Sequence, residues 1–435
     1  MRNEKWIVSG REHHGGTPMA KLSISHFSFL IPHFPVCPLL LSFIIYHLSF
    51  SPAGAQSLGR YRADFAVSKT DFADSIDIEW SGEQVYVPVV IDGQQYRFLL
   101  DTGAGQSVVF DGTPLACGPR RGGIIAHDAT GRSDTVPLVE LPPLTLGTLT
   151  LTGCQATVQH DGATGLDGIL GFDLVNGGLS MQIDVPHLRL VLTDRPVTPG
   201  PADISLRYRL NYHVPYIDIV PFGRCRERVL FDTGSTQFFA MNIGRLDDVL
   251  ESAELSMKPN KMAGFIDEGR AWGSHVIGHY GAEHYGDVQF FCLEALQLDD
   301  YSFTDVHCCT TQGGSHLGAP LLRFGLVTFD ARRHRLLFQP ADGQQAPFRV
   351  GNRQLEIAFV ADAEGRPQVG LVWPQGVPYR QGFRQGDIIE QIDLRPVRTL
   401  SQFVRWGFER GREYIFTVRS SDGQRRNIPW VRIPE

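Results

Sequence analysis

At 435 residues the chain has room for two or three domains with sizeable cores. Its 42 % hydrophobic, 10 % aromatic and 20 % charged content is ordinary for a globular protein and excludes a low-complexity, disordered chain. A net charge of −7, spread without long runs of one sign, excludes a nucleic-acid footprint. The chain opens on a leader. Leu39 to Phe50 reads LLLSFIIYHLSF, preceded by Lys21 and followed by Ala53-Gly54-Ala55. A basic start, a short apolar core and an A-x-A-like end are the marks of a cleaved export signal, with Met19 as an alternative start. The apolar run is shorter than the ~20 residues of a spanning helix, so no stable membrane span is expected after its removal; an uncleaved anchor is the alternative.

Beyond Cys37, six cysteines remain: Cys117, Cys154, Cys225, Cys292, Cys308 and Cys309. An even count in an exported chain permits disulfides without fixing their connectivity, and adjacent Cys308 and Cys309 are expected to have different fates. With no C-x-x-C pair, no zinc site, metal or other cofactor is expected.

Two segments then read alike. Val85 to Phe110 is VYVPVVIDGQQYRFLLDTGAGQSVVF, and Tyr212 to Ala240 is YHVPYIDIVPFGRCRERVLFDTGSTQFFA in its region. Each gives a Val-Pro strand, a Gly-containing turn, a second apolar strand and then Asp-Thr-Gly, and alternation makes both β-hairpins. Each has a matching later half, ILGFDLVNGGLSMQIDVPHLRLVLTD from Ile169 and HLGAPLLRFGLVTFDARRHRLLFQP from His316. Two such units about a pseudo-twofold axis would bring their aspartates face to face.

The residue types suit that encounter. Leu99-Leu100 and Leu230-Phe231 anchor each loop in a core, so Asp101 and Asp232 sit partly desolvated at strand ends, which favours their neutral forms. Gly103 and Gly234 allow close backbone approach, and Thr102 and Thr233 can hydrogen-bond across the interface. Two carboxyls a few ångströms apart share one proton and titrate as a pair. The ionised member can then take a proton from water while the neutral one polarises a carbonyl.

On these motifs the chain resembles the pepsin/retropepsin superfamily of aspartic peptidases, in the tandem form of bacterial exported proteins, over roughly Val85 to Pro340. The first loop is Leu99-Leu100-Asp101-Thr102-Gly103-Ala104 with Ile169-Leu170-Gly171; the second is Leu230-Phe231-Asp232-Thr233-Gly234-Ser235 with Leu317-Gly318. The resemblance implies a mostly β, bilobal fold with Asp101 and Asp232 as the catalytic pair, supported by Thr102, Gly103, Thr233, Gly234 and Ser235. It implies a substrate-binding flap, placed at a hairpin from Ile124 to Val139 turning at Asp128-Ala129-Thr130-Gly131, with Ile125, Asp128 and Gly131 at the substrate. Ala104 replaces a hydroxyl at the first loop. His316 stands where an apolar residue is usual, either as a buried neutral histidine or as a pH-sensitive neighbour of the site. Gly264 to Gly286 either lines the far side of the cleft or forms a surface loop.

After Pro340 a linker-like ADGQQAP leads to a segment that resembles a PDZ domain, with Gly382-Phe383-Arg384-Gln385-Gly386-Asp387-Ile388-Ile389 before a strand. Thr399 can cap a helix placing Leu400, Phe403, Val404 and Phe408 on one face, and a hairpin is expected about Asp422-Gly423. Peptide capture near Gln354 to Ile357 and simple packing on the lobes are both open. The expected organisation is leader and signal at 1–55, linker or pro-segment at 56–76, lobes at 77–199 and 200–345, and the PDZ-like domain at 346–435. The expected function is endoproteolysis of exported polypeptides by a periplasmic or secreted monomer. A peptide-binding scaffold without turnover is the alternative.

Overall fold

The computed structural model describes residues 55–56, 63–115, 117–118, 120–128, 130–160, 166–256, 262–278, 280–409 and 411–431. Of the expected leader and signal at 1–55, residues 1–54 lie outside the described residues. Strands dominate, as alternating apolar residues dictate. Gln84–Ile91 buries every second side chain, Val85, Val87, Val89 and Ile91, and turns through Asp92-Gly93 into Gln94–Leu100. Both turn residues have positive φ (51° and 78°), the two-residue geometry whose twist matches the flanking strands.

The duplication is visible strand by strand. In the first lobe the strand that ends before Asp101 lies parallel to Gly168–Leu170, which in turn lies antiparallel to Val108–Phe110. In the second lobe Glu227–Asp232 lies parallel to His316–Gly318, which lies antiparallel to Phe239–Asn242. Leu170 pairs with Leu100 and Leu317 with Phe231, so both glycine motifs sit in the same register against their aspartates. The hairpin Arg120–His127/Ser133–Glu140 of the first lobe corresponds to Phe265–Gly273/Gly286–Leu298 of the second.

A six-stranded sheet joins the lobes. Its two central strands, Ser180–Asp184 and Gly325–Asp330, come one from each repeat and pair antiparallel, Met181 opposite Phe329 and Ile183 opposite Val327. Residues 73–77, from the segment expected as a linker, form the outermost strand on the first lobe's side. Beneath this sheet Phe172, Phe231 and Phe329 meet edge to face inside one core shared by both lobes.

Residues 357–431 form a separate sheet around Val369, Phe383, Ile389, Phe403 and Phe416. Thr399 Oγ1 accepts from Gln402 N (3.2 Å), the expected cap. The helix is shorter than its apolar pattern suggests, running only from Leu400 to Val404. Gly407 (φ 70°) then reverses the chain, so Phe408 reaches the core from a turn while Val404 faces solvent. This module packs on the second lobe. Ser274 N donates to Gly370 O (3.0 Å), Trp373 Nε1 to Glu268 O (2.8 Å), and Leu371 is buried with Val288, Phe290 and Cys309.

Among the described residues the six cysteines form no disulfide. Cys308 and Cys309 do separate as adjacent strand residues must: Cys308 enters the shared core and Cys309 the small cluster under the C-terminal module. No helix among the described residues is long and apolar enough to cross a membrane.

Candidate active site

Each Asp-Thr-Gly loop begins where a buried strand ends, and the two loops interlock. Thr102 Oγ1 donates to Phe231 O (2.6 Å) and accepts from Thr233 N (3.1 Å). Thr233 Oγ1 donates to Leu100 O (2.7 Å) and accepts from Thr102 N (3.0 Å). Both threonines are fully buried, so four hydrogen bonds that water cannot compete for fix one loop against the other.

Glycine is obligatory beside them. A Cβ on Gly103 would stand 2.6 Å from Asp232 Oδ1, and one on Gly234 would stand 2.7 Å from Asp101 Cγ. The Gly103 amide donates to Asp101 Oδ1 (2.7 Å) and the Gly234 amide to Asp232 Oδ1 (2.9 Å). The motif glycines behind are equally tight: a Cβ on Gly171 would stand 2.8 Å from Ala104 O, and one on Gly318 2.7 Å from Ser235 O. Ser235 Oγ is engaged with Gln237 N (3.3 Å).

The Asp101 and Asp232 carboxyls share a hydrogen bond, half-buried where the lobes meet. Burial, together with the like charge of Asp232, pushes the Asp101 carboxyl well above the ordinary range. Burial also raises Asp232, against the opposing hydrogen bonds from Asp101 and the Gly234 and Ser235 amides. Both carboxyls are thus raised, and groups this close titrate as a pair. The expected residues are thus brought together: Asp101, Thr102, Gly103, Asp232, Thr233, Gly234 and Ser235 form one cluster.

The expected flap residues lie on the hairpin Arg120–His127/Ser133–Glu140. Asp128 shapes its turn by accepting from Thr130 N (3.0 Å), Thr130 Oγ1 (2.6 Å) and Arg132 N (3.1 Å), Gly131 adopts φ 78°, and Ile125 is exposed. The tip reaches the second lobe, where Tyr280 N donates to Asp128 Oδ2 (2.8 Å) and Tyr280 packs with Ile124, Val136 and Leu138. The Gly264 to Gly286 segment, expected either to line the cleft or to form a surface loop, contains the paired strand Phe265–Gly273 and meets the hairpin tip through Tyr280. His127 also lies against Tyr212 at 5.6 Å between ring centroids.

Several participants carried no sequence signal. Gln84 Nε2 donates to Gly234 O (2.9 Å), tying the first lobe's hairpin to the second loop. Tyr212 and His213 both have positive φ (49° and 67°) in the turn that precedes the second lobe's repeat, a strained place for bulky side chains costing about 1–2 kcal/mol each. The strain is held by Asn176 Nδ2 donating to His213 O (2.8 Å). The corresponding turn of the first lobe, Gly82-Glu83, is held by Arg323 Nη1 on Glu83 Oε1 (3.3 Å).

Behind the second loop Gln237 Nε2 lies 3.4 Å from His275 Nδ1, and His275 Nε2 lies 3.6 Å from Glu283 Oε1. Burial opposes the His275 charge, but Cys309, Glu283 and the Thr310 carbonyl outweigh it and lift the imidazole to about 9. His316 is half-buried with Nδ1 3.2 Å from Gly314 O, and burial and the His275 charge hold it below the ordinary range, against the pull of that carbonyl and of Glu283. In the first lobe Asp173 is buried beside a cavity of about 10 Å³ and accepts from Ser107 N (2.8 Å) and Ser107 Oγ (2.9 Å). Burial raises its carboxyl to about 6.

A paired-carboxyl centre built by two symmetric loops of a bilobal β protein is the class of site this fold defines. Residues 87–174, which span the first loop and its glycine motif, match the family model described as aspartyl protease, and that match supports a hydrolase of the protease kind. Among solved structures, an aspartic proteinase from Irpex lacteus is similar at 12 % identity and a TM-score of 0.41, covering 65 % of this chain and 100 % of that one. A comparison with curated proteins finds no match.

Proposed function

We propose that the chain is an aspartic endopeptidase in which Asp101 and Asp232 activate one water between them. The observation that carries this reading is the facing pair of carboxyls at the junction of the lobes, both raised by burial, each delivered by an equivalent loop and each backed by the opposite glycine. Ionised Asp232 takes a proton from the water as it attacks the peptide carbonyl. Neutral Asp101 gives its proton to the carbonyl oxygen, and the resulting gem-diol collapses as a proton passes to the leaving amine. The hairpin carrying Ile125, Asp128 and Gly131 covers the substrate and limits water to the reacting molecule. Substrates are polypeptides met outside the cytoplasm, which follows from reading the leader as an export signal. The C-terminal module is proposed as PDZ-like, and the protein as a monomer.

The test is cleavage of a peptide library by the native chain, Asp101→Asn and Asp232→Asn, each with and without a statine-type inhibitor. Cleavage by the native chain alone, abolished by the inhibitor, is expected. Turnover retained in Asp232→Asn would defeat the assignment, and inhibitor-sensitive peptide binding without turnover by the native chain would make the protein a scaffold.

A further inference from the structure

On the second lobe, away from the paired carboxyls, three donor side chains of different chemistry converge across two strands. Cys292 lies on Gly286–Leu298 directly opposite His307 on Tyr301–Thr311, and Asp305 precedes His307 by two residues. One donor atom from each, the Cys292 thiol, a His307 ring nitrogen and an Asp305 carboxylate oxygen, lies within 4.8 Å of the others. We propose that Cys292, Asp305 and His307 bind a borderline divalent transition-metal ion of the zinc class.

The donors are held as metal ligands are held. Glu268 lies 3.0 Å from His307 Nδ1, which leaves Nε2 directed at Asp305 Oδ1 (3.7 Å). A carboxylate on the outer nitrogen of a ligating imidazole fixes its tautomer and raises its basicity. Arg349 takes the other oxygen of Asp305, with Nε at 3.1 Å and Nη2 at 2.9 Å from Oδ2, so Oδ1 stays free for an ion. The backbone is pinned as well: His307 N donates to Asn352 Oδ1 (3.0 Å), and Asn352 Nδ2 donates to His307 O (2.7 Å). Asp305 adopts φ 55°, an unusual backbone state whose carbonyl is satisfied by Gly351 N (3.0 Å).

The donor set selects the ion. Thiolate and imidazole favour zinc over magnesium or calcium, and one thiolate with one carboxylate neutralises a divalent charge. Three protein ligands leave a fourth position for water, and the partly exposed His307 and Asp305 side chains give a path from solvent. Binding replaces the S–H bond of Cys292 with a sulfur–metal bond, and the proton leaves to solvent. Glu268 accepts from Gln354 Nε2 (2.9 Å) and carries the carbonyl that holds Trp373, so the ion would brace the joint between the lobe and the C-terminal module.

The test is titration of the chelator-treated full chain with Co²⁺, followed in the near ultraviolet and visible. A thiolate-to-cobalt charge-transfer band saturating at one equivalent and displaced by Zn²⁺ is expected. Its absence in the native chain would overturn the proposal without recourse to any variant. Cys292→Ser should lose the band, and Glu268→Gln should keep it with affinity about tenfold weaker or more. Cys117→Ser, altered in the other lobe, should leave band and affinity unchanged. Native affinity in Cys292→Ser, or loss of the band in Cys117→Ser, would refute the site.

Discussion

Asn176 and Arg323 stand at equivalent places in the two lobes, each five residues after its motif glycine (176 − 171 and 323 − 318), and each holds the strained turn of the opposite lobe. The lobes are thus clasped reciprocally, in addition to their shared sheet and core. Asn176→Ala removes the hydrogen bond to the His213 carbonyl and is expected to lower stability by about 1 kcal/mol. Arg323→Ala removes a partly exposed ion pair and should lower it by less than 1 kcal/mol. Urea unfolding measures both, and a larger loss for Arg323→Ala would show that the ionic clasp dominates.

The glycines facing the carboxyls allow a sharper test. Gly103→Ala places a methyl 2.6 Å from Asp232 Oδ1, and Gly234→Ala places one 2.7 Å from Asp101 Cγ. Either change should force the loops apart and lower kcat by at least about tenfold, since a displacement near 1 Å at a reacting centre can cost about 100-fold. Thr102→Ser, which keeps the hydroxyl, should retain far more activity than Thr102→Val. Equal activity in the two would show that the interlocked hydroxyls do not position the pair.

The shared proton predicts a bell-shaped pH profile displaced to the acid side. Activity should rise as the pair loses its first proton and fall as it loses the second, because it then carries two charges and no proton to give. Stopped assays of kcat/KM from pH 2 to 8 would check this (a range of roughly two units on either side of the usual carboxylate and histidine values). A profile rising through neutrality would contradict it.

Asp173 sets a separate dependence, in stability. Its carboxyl is raised from 3.8 to about 6 in the folded chain, so the folded state holds its proton more tightly than the unfolded one. The stabilisation is complete below the unfolded value and is lost as pH rises toward about 6, a change of up to roughly 3 kcal/mol at about 1.4 kcal/mol per pKa unit. Asp173→Asn should flatten the stability profile across that window even if its plateau is lower. Denaturant midpoints at about pH 3 and pH 7 (about one pKa unit outside each end of the window) measure the difference.

The flap tip should report its own tether. Asp128→Ala removes the acceptor of Tyr280 N and three hydrogen bonds within the turn, so the hairpin should loosen. Limited proteolysis should cut near residue 128 faster than in the native chain, and KM should rise more than kcat falls. Unchanged proteolysis would mean that packing of Tyr280 on Ile124 and Val136 suffices.

The Asp-Thr-Gly loops were legible because their chemistry is local and written twice: strand, acid, hydroxyl and glycine occupy consecutive positions in both repeats. The hairpin about Asp128 and Gly131 was legible because its turn residues are also local in sequence. The second-lobe rim was not. Tyr280, His275 and Glu283 derive their roles from partners on other elements, and no spacing announces them. Tyr212-His213 runs against propensity, since aromatic residues rarely occupy a turn with two positive φ values, and partners from the first lobe, Asn176 and His127, hold it. Cys292 and His307 escaped a metal reading because they meet across a strand pair, fifteen residues apart (307 − 292), with no short motif between them.

The seam between Ser180–Asp184 and Gly325–Asp330 has a consequence for biosynthesis. When the first repeat leaves the ribosome, its inner strand lacks the neighbour encoded 145 residues later (325 − 180). At about 5–20 residues per second, that edge stays bare for roughly 10–30 s. Its apolar residues Met181 and Ile183 would then be open to pairing with other chains, so the nascent first half is the stage at which this protein most needs a chaperone.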